Sequence, residues 1–244
     1  MAYIIEIATS DYESTKSAAA GGANRIELCA NLVEGGTTQS FGVIKTCREH
    51  FDVQIYPIIR VRGGDFFYTE EEFDCMLKDA LMCKDIGTDG VVIGFLNIDG
   101  TIDIKRTSRI VEAVYPLGVT FHRAFDRCRN PFEAMEQLIK IGCERILTSG
   151  QQKTAPEGAP IIAELQKSAN GRIIVMPGSG VRAANIRQLA ESTGCTEFHT
   201  SLRDLTKTKM EFITPAFEND EENHYYTVKA DAVKKLRNAL ELST

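Results

Sequence analysis

The sequence predicts a closed (β/α)₈ barrel, the TIM-barrel architecture, formed as a single domain over residues 1–244. Three observations carry this. Short β-branched runs alternate with amphipathic helical stretches from end to end. Glycine turns recur at helix exits before every second strand. Charged and hydrogen-bonding residues collect near the carboxyl ends of the strand runs, where a barrel of about 250 residues places its chemistry.

Strands are expected at 3–8, 25–29, 54–60, 90–95, 118–122, 145–148, 172–176 and 197–200. Helix starts separate them. Ser10-x-x-Glu13 and Thr69-x-x-Glu72 have the form of capping boxes, each side chain satisfying an amide that the first turn leaves unpaired. Asn130-Pro131-x-Glu133 offers a cap, a proline at the first helical position and an acid in the first turn. Ser40 and Asp103 are further caps, and a helix is expected to start near Arg182. The exits at 21–26, 87–91, 142–146 and 194–198 each place a glycine just after a helix and a strand shortly beyond it. Eight units with short connections favour closure over an open sheet, and no G-x-G-x-x-G follows the first strand to suggest a dinucleotide fold. Residues 203–227 break the rhythm before the last helix. They form a polar insertion without a clear period, at the face where the eighth strand ends, and suit a mobile lid and a tolerated surface insertion equally.

Composition narrows the function. A net charge of −6 with scattered Lys and Arg argues against nucleic acid or an anionic membrane surface as partner. No apolar run has the length of a membrane span, and the amino terminus lacks the pattern of a signal peptide. Seven cysteines, an odd number with no C-x-x-C pair, point to free thiols in a reducing compartment and hence to the cytoplasm. Oligomeric state is left open.

Strands covered on both faces direct a polar residue into the barrel, near its mouth. Glu6, Glu27, Arg60, His122 and His199 stand at or near strand ends, with Arg62 and Arg123 just beyond. Glu27 and His122 are candidates for proton exchange. Arg60 and Arg62 are candidates for holding an anion, with His199 as a further ligand contact. Gly178-Ser179-Gly180, ending strand seven, and Thr200-Ser201, ending strand eight, suit the barrel position where phosphate is often bound. Mutual ion pairing with no functional consequence is the competing account of these charges.

Several ordered motifs resemble the CutC family: Arg25-Ile-Glu-Leu-Cys29, Glu34-Gly-Gly-Thr37, Arg60-Val-Arg-Gly-Gly-Asp65-Phe66-x-Tyr68, Thr120-Phe-His-Arg-Ala-Phe-Asp126, Leu147-Thr-Ser-Gly150, Met176-Pro-Gly-x-Gly180 and Glu197-Phe-His199. The resemblance runs over roughly residues 4–203. It implies a TIM barrel, cytoplasmic copper homeostasis and copper(I) binding by cysteines ending the first two strands. Here strand one reads Glu6-Ile7-Ala8, so that only Cys29 carries over. Copper(I) prefers two soft ligands, and the nearest soft partners for Cys29 are Met176 and Cys128. The remaining cysteines, Cys47, Cys75, Cys83, Cys143 and Cys195, suit helix packing. Three functions follow: copper handling with weak copper(I) binding, an enzyme acting on a small anionic or phosphorylated substrate, or a non-catalytic ligand-binding scaffold.

Overall fold

The computed structural model describes residues 3–241. Strands and helices alternate as β1 (Ile4–Thr9), α1 (Tyr12–Ala20), β2 (Arg25–Leu28), α2 (Phe41–His50), β3 (Gln54–Pro57), α3 (Glu70–Ile86), β4 (Gly90–Ile93) and α4 (Ile104–Val114). The second half repeats the pattern: β5 (Gly118–Phe121), α5 (Pro131–Ile141), β6 (Arg145–Thr148), α6 (Ala159–Ala169), β7 (Ile174–Pro177), α7 (Ile186–Thr193) and β8 (Glu197–Thr200). A ribbon of β9 (Arg203–Lys207) and β10 (His224–Val228) precedes α8 (Ala230–Glu241).

The strands pair in parallel as β3-β2-β1-β8 and β4-β5-β6-β7. An Ile58–Val92 bridge joins β3 to β4, with Ile59 N–H donating to Val92 O at 2.8 Å. At the other seam β7 packs beside β8, where a Cβ on Gly178 would stand 3.3 Å from the His199 side chain. The strands thus run around a TIM barrel in sequence order.

Period-two alternation divides the strand residues. Ile5, Ile7, Ile26, Leu28, Ile55, Val91, Ile93, Val119, Phe121, Ile146, Val175 and Phe198 join the apolar jacket under the helices. The interior set differs from the branched aliphatics that usually fill a barrel. Buried Arg25 and Arg145 stand there with Glu6 and Glu197, and both guanidiniums lie over the Tyr56 ring, 5.2 and 5.6 Å from its centroid. Gly90 on β4 makes room for Tyr56, because a Cβ there would enter its ring.

Local signals mostly act as the sequence suggests. Thr69 and Glu72 close a full capping box on α3. Ser40, Asp103 and Asn130 each cap their helix. The first helix is different: Asp11, not Ser10, is its cap, and Asp11 Oδ1 accepts from Ser14 N–H at 2.7 Å. A carboxylate one residue later meets the orphan amide in register and displaces the expected Ser10–Glu13 box. Helix α7 starts at Ile186 rather than near Arg182. The Arg182 amide donates to Asn185 Oδ1 at 2.8 Å and holds a turn ahead of the helix.

The segment at 203–227 is ordered as a two-stranded antiparallel arm, with Val228 paired to Arg203 at its base. Its period-two pattern is hidden because most of both faces is exposed, so nothing selects apolar residues for one side. Leu205, Met210, Phe212, Phe217, Tyr225 and Tyr226 stand exposed along it. Cys75 also departs from the packing expectation and is exposed, while the other six cysteines are buried.

Gly90→Ala should lower stability by about 1–3 kcal/mol, because the new methyl overpacks Tyr56. Urea denaturation measures this, and Tyr56→Leu in the same chain should restore part of the loss. A Gly90→Ala chain as stable as the parent would mean that Tyr56 has another place to go.

Candidate active site

A cavity of about 1120 Å³ opens at the carboxyl ends of the strands. Its base is organised by Glu6 on β1. Strand register sets Glu6 beside both Arg25 on β2 and His199 on β8. One Glu6 oxygen accepts from Arg25 Nε, and the other is 2.7 Å from His199 Nδ1. Arg25 also reaches Glu197 at 2.6 Å, and Glu197 takes Arg145 Nε at 2.7 Å. Four buried charges therefore satisfy one another below the mouth, which lowers the penalty for desolvating each.

This chain orients His199. Glu6 is an acceptor, so the Nδ1 of His199 carries the hydrogen, and a neutral ring presents the Nε2 lone pair. Nε2 is 3.8 Å from Glu27 Oε2. That gap exceeds a direct hydrogen bond and suits a bridging water or substrate atom.

The carboxyls diverge electrically. Burial alone would raise the pKa of Glu6, but the Arg25 charge and the His199 hydrogen bond and charge outweigh it and hold Glu6 well below the usual carboxylate range. Burial raises Glu27 to about 7, assisted by the Glu6 charge and opposed by His199 and Arg25. Burial lowers His199, yet the charges and hydrogen bond of Glu27 and Glu6 bring it out above its ordinary value. Near neutrality the Glu27–His199 pair therefore keeps a proton that it can give up or take back.

His122, just after β5, faces the mouth from the opposite side. Its Nδ1 accepts from Ala124 N–H at 3.0 Å, which fixes the proton of the neutral ring on Nε2. Burial, with the Arg60 charge, lowers its pKa to about 3. Nε2 is buried without a hydrogen-bond partner among the described residues. Gly94 at the end of β4 is required here, because a Cβ would occupy the space of the imidazole.

Arg60 locks two loops together. Its Nη1 donates to Glu34 O and Gly36 O at 2.9 and 3.0 Å, and Nη2 donates to Gly64 O at 2.8 Å. It stacks on Phe66 at 4.9 Å, and among the described residues no carboxylate pairs with it. Arg62 is placed elsewhere: Glu72 at 2.6 Å, Asp65 at 3.1 Å and three carbonyls occupy it, and it does not line the mouth. Arg127, Arg182 and Arg203 line the cavity and also lack a carboxylate partner among the described residues. None of the three stands inside a barrel strand, which is why strand-end reasoning passes over them.

Ser179, Gly180, His199, Thr200 and Ser201 all line the mouth. The Gly178 amide is spent in the sheet, donating to Thr148 O at 2.9 Å. The amides of Ser179 and Gly180 have no partner among the described residues. Ser179 holds a left-handed backbone, φ 76°, anchored by its hydroxyl on Lys153 O at 2.9 Å. On the β5–β6 side, Asp126 accepts from Arg123, Thr148 and Ser149, tying two of the sequence motifs into one loop pair.

Cys29 is fully buried, and its thiol donates weakly to Thr9 O at 3.5 Å. Burial and then the Glu27 charge push the thiol well above its ordinary pKa. The groups that converge are Glu6, Glu27 and His199, with donor atoms within 4.8 Å of one another and no sulfur among them.

The CutC family model matches residues 3–204. The chain belongs to the CutC family. It is 54% identical over 213 residues to a CutC family protein of Parabacteroides distasonis, covering 87% of this chain and 88% of the relative. A mouse protein named as a copper homeostasis protein cutC homolog is 41% identical over 237 residues, with 96% of this chain and 87% of the relative covered. A CutC crystal structure from Streptococcus agalactiae superposes with a TM-score of 0.78 at 31% identity, covering 81% of this chain and 97% of that one. Thiamine phosphate pyrophosphorylase of Pyrococcus furiosus shares the fold alone, with a TM-score of 0.59 at 16% identity, over 98% of this chain and 95% of that one. The family match ends at the start of the β9–β10 arm. Among the described residues, no helix is long and apolar enough to cross a membrane.

The raised Glu27 makes a pH prediction. Folded Glu27 keeps its proton up to about 7, whereas the unfolded side chain releases it near its ordinary pKa of 4.5. The folded state binds more protons in that window, so stability falls as pH rises through it. His199, also raised, acts in the same direction, and its contribution is lost as pH rises through its folded pKa. Melting temperature should decline between about pH 4.5 and 7, and Glu27→Gln should flatten that slope. An unchanged slope in Glu27→Gln would assign the titration to another group.

Proposed function

We propose that the barrel mouth is the active site of an enzyme that binds a small anionic substrate and moves a proton on it. The observation that carries this is the Glu27–His199 pair, 3.8 Å apart, in a cavity also lined by Arg60, Arg127, Arg182 and Arg203, which have no carboxylate partner among the described residues. Glu6 orients His199 and stays ionised, so His199 and Glu27 can exchange a proton with a group placed between them. Arg182, Arg203 and the free amides at Ser179 and Gly180 supply the anion contacts on the β7–β8 side, and Arg60 contributes positive potential from β3. The buried, unpaired thiols suit a reducing, cytoplasmic setting.

Copper(I), which the family name implies, fits these residues poorly. Two carboxylates and an imidazole make a hard donor set, and Glu6 is already engaged by Arg25 and His199. Cys29 is a lone thiol whose ionised, metal-binding form is disfavoured. Copper(I) enters this account only as a weakly held ligand. Competition with a copper(I) chelator should strip the native chain, and Ala8→Cys should retain the metal better. Tight binding that survives Cys29→Ala would place the metal elsewhere.

Anion binding is tested by thermal denaturation in phosphate against chloride at equal ionic strength. Phosphate at a hundred times its dissociation constant should stabilise by about 2.7 kcal/mol. Arg182→Met should remove most of that gain. Equal melting temperatures in the two salts would count against the substrate class.

A further inference from the structure

The mouth contains a hydrogen-bond donor that the proton-transfer pair does not use. His122 is 4% exposed, its Nδ1 is occupied by the Ala124 amide, and its Nε2–H has no partner among the described residues. A buried donor without an acceptor is destabilising, and such groups persist where a ligand supplies the missing atom. The ring is held firmly: it rests against Gly94, where no Cβ fits, and packs 4.9 Å from Phe66.

We infer, resting on the proposed proton-transfer function, that the substrate carries a carbonyl group whose oxygen accepts from His122 Nε2–H while Glu27 exchanges the proton on the adjacent carbon. The placement follows from the barrel. β5 stands four strands from β1, so His122 faces the Glu6–His199–Glu27 group across the mouth. A carbonyl lying along that diameter has its oxygen at His122 and its neighbouring carbon toward Glu27.

In the forward step the Glu27 carboxylate takes the proton. The C–H electron pair becomes the carbon–carbon double bond of an enolate, and the carbonyl π pair moves onto oxygen. A neutral imidazole donor stabilises that oxygen without surrendering its own proton, since imidazolate formation is far less favourable than hydrogen bonding. Return of the proton from Glu27 completes a reversible enolisation that needs no oxidant, reductant or second substrate. The Arg60 charge beside the ring helps to keep His122 neutral and the developing oxyanion favoured.

Two probes separate this inference from the anion-binding function beneath it. Glycerol 3-phosphate has the phosphate and no carbonyl, and phosphoglycolohydroxamate has the phosphate with an enediolate-like oxygen pair. Calorimetric titration of the full chain should show the hydroxamate binding at least about tenfold tighter, as expected for a mimic of the transition state. His122→Phe should abolish that preference and leave glycerol 3-phosphate affinity within about twofold of the native value. Equal affinity for both probes in the native chain overturns the carbonyl assignment and leaves anion binding intact. Failure of both to bind overturns the anion-binding function and the inference with it. A readout without substitution is the ¹⁵N spectrum of His122. Nε2 should stay protonated and Nδ1 unprotonated from about pH 5 to 8, and the Nε2 proton should shift when the hydroxamate binds. A His122 that gains a second proton near its ordinary pKa overturns the assignment.

Discussion

The Glu6 carboxylate is the constraint on which the barrel interior depends. It is fully buried and bridges Arg25 on β2 and His199 on β8. An isolated carboxylate there would be costly to desolvate, so Arg25 must be present and charged. Arg25 in turn needs Glu197, and Glu197 needs Arg145. Removing one member strands its partners, at a cost of about 3–5 kcal/mol for a buried pair. The same geometry that satisfies Glu6 turns the Nε2 of His199 toward the mouth. Interior stability and the orientation of a candidate catalytic group are thus consequences of one hydrogen-bonded carboxylate.

Much of the fold was legible because its signals are local. A cap, a glycine exit or an alternating run is written within a few neighbouring residues, and Thr69, Asn130 and Gly142 act where the sequence places them. The site was legible where polar residues interrupt strands, as Glu6, Glu27, His122 and His199 do. Arg25 and Arg145 were not, since each opens its strand beside a helix-exit turn and looks like a solvated entry residue. Only closure of the barrel reveals that they stack on Tyr56 in the interior. Arg60 and Arg62 illustrate the same limit. They lie two residues apart in one motif and share a residue type, yet one enters the mouth and the other turns back to α3. The arm was hidden for a different reason: a ribbon exposed on both faces has no burial to impose a pattern.

The CutC motifs acquire physical roles from the contacts. Glu34-Gly-Gly-Thr37 and Arg60-Val-Arg-Gly-Gly-Asp65 meet where the Arg60 guanidinium takes carbonyls from both. Thr120 through Asp126 meets Leu147-Thr-Ser-Gly150 through Asp126. These contacts shape a mouth and position nitrogen and oxygen groups within it. Sulfur has no comparable support: Cys29 packs with Tyr56, Ile58 and Val92, and Ala8 faces the cavity where a second thiol would be needed. The family's name and this chain's interior chemistry therefore point in different directions. A site is argued from its donors and acceptors, and here these are carboxylates, imidazoles and guanidiniums.

Charge is sorted by depth. Below the mouth, Glu6 and Glu197 are matched to Arg25 and Arg145, and little net field remains. Around the mouth, Arg60, Arg127, Arg182 and Arg203 have no carboxylate partner among the described residues, whereas Arg123 is paired with Asp126; of the lining acids Glu27, Glu34 and Asp65, the last is engaged by Arg62. The chain as a whole carries −6, so this group of arginines stands against the sign of the net charge. Low-dielectric walls strengthen that local field, and the floor beneath it supplies the groups able to move a proton. On the proposed function, an anion held by these arginines meets the face of the barrel where Glu27, His199 and the His122 N–H converge, so that recognition and proton transfer would use the same entrance.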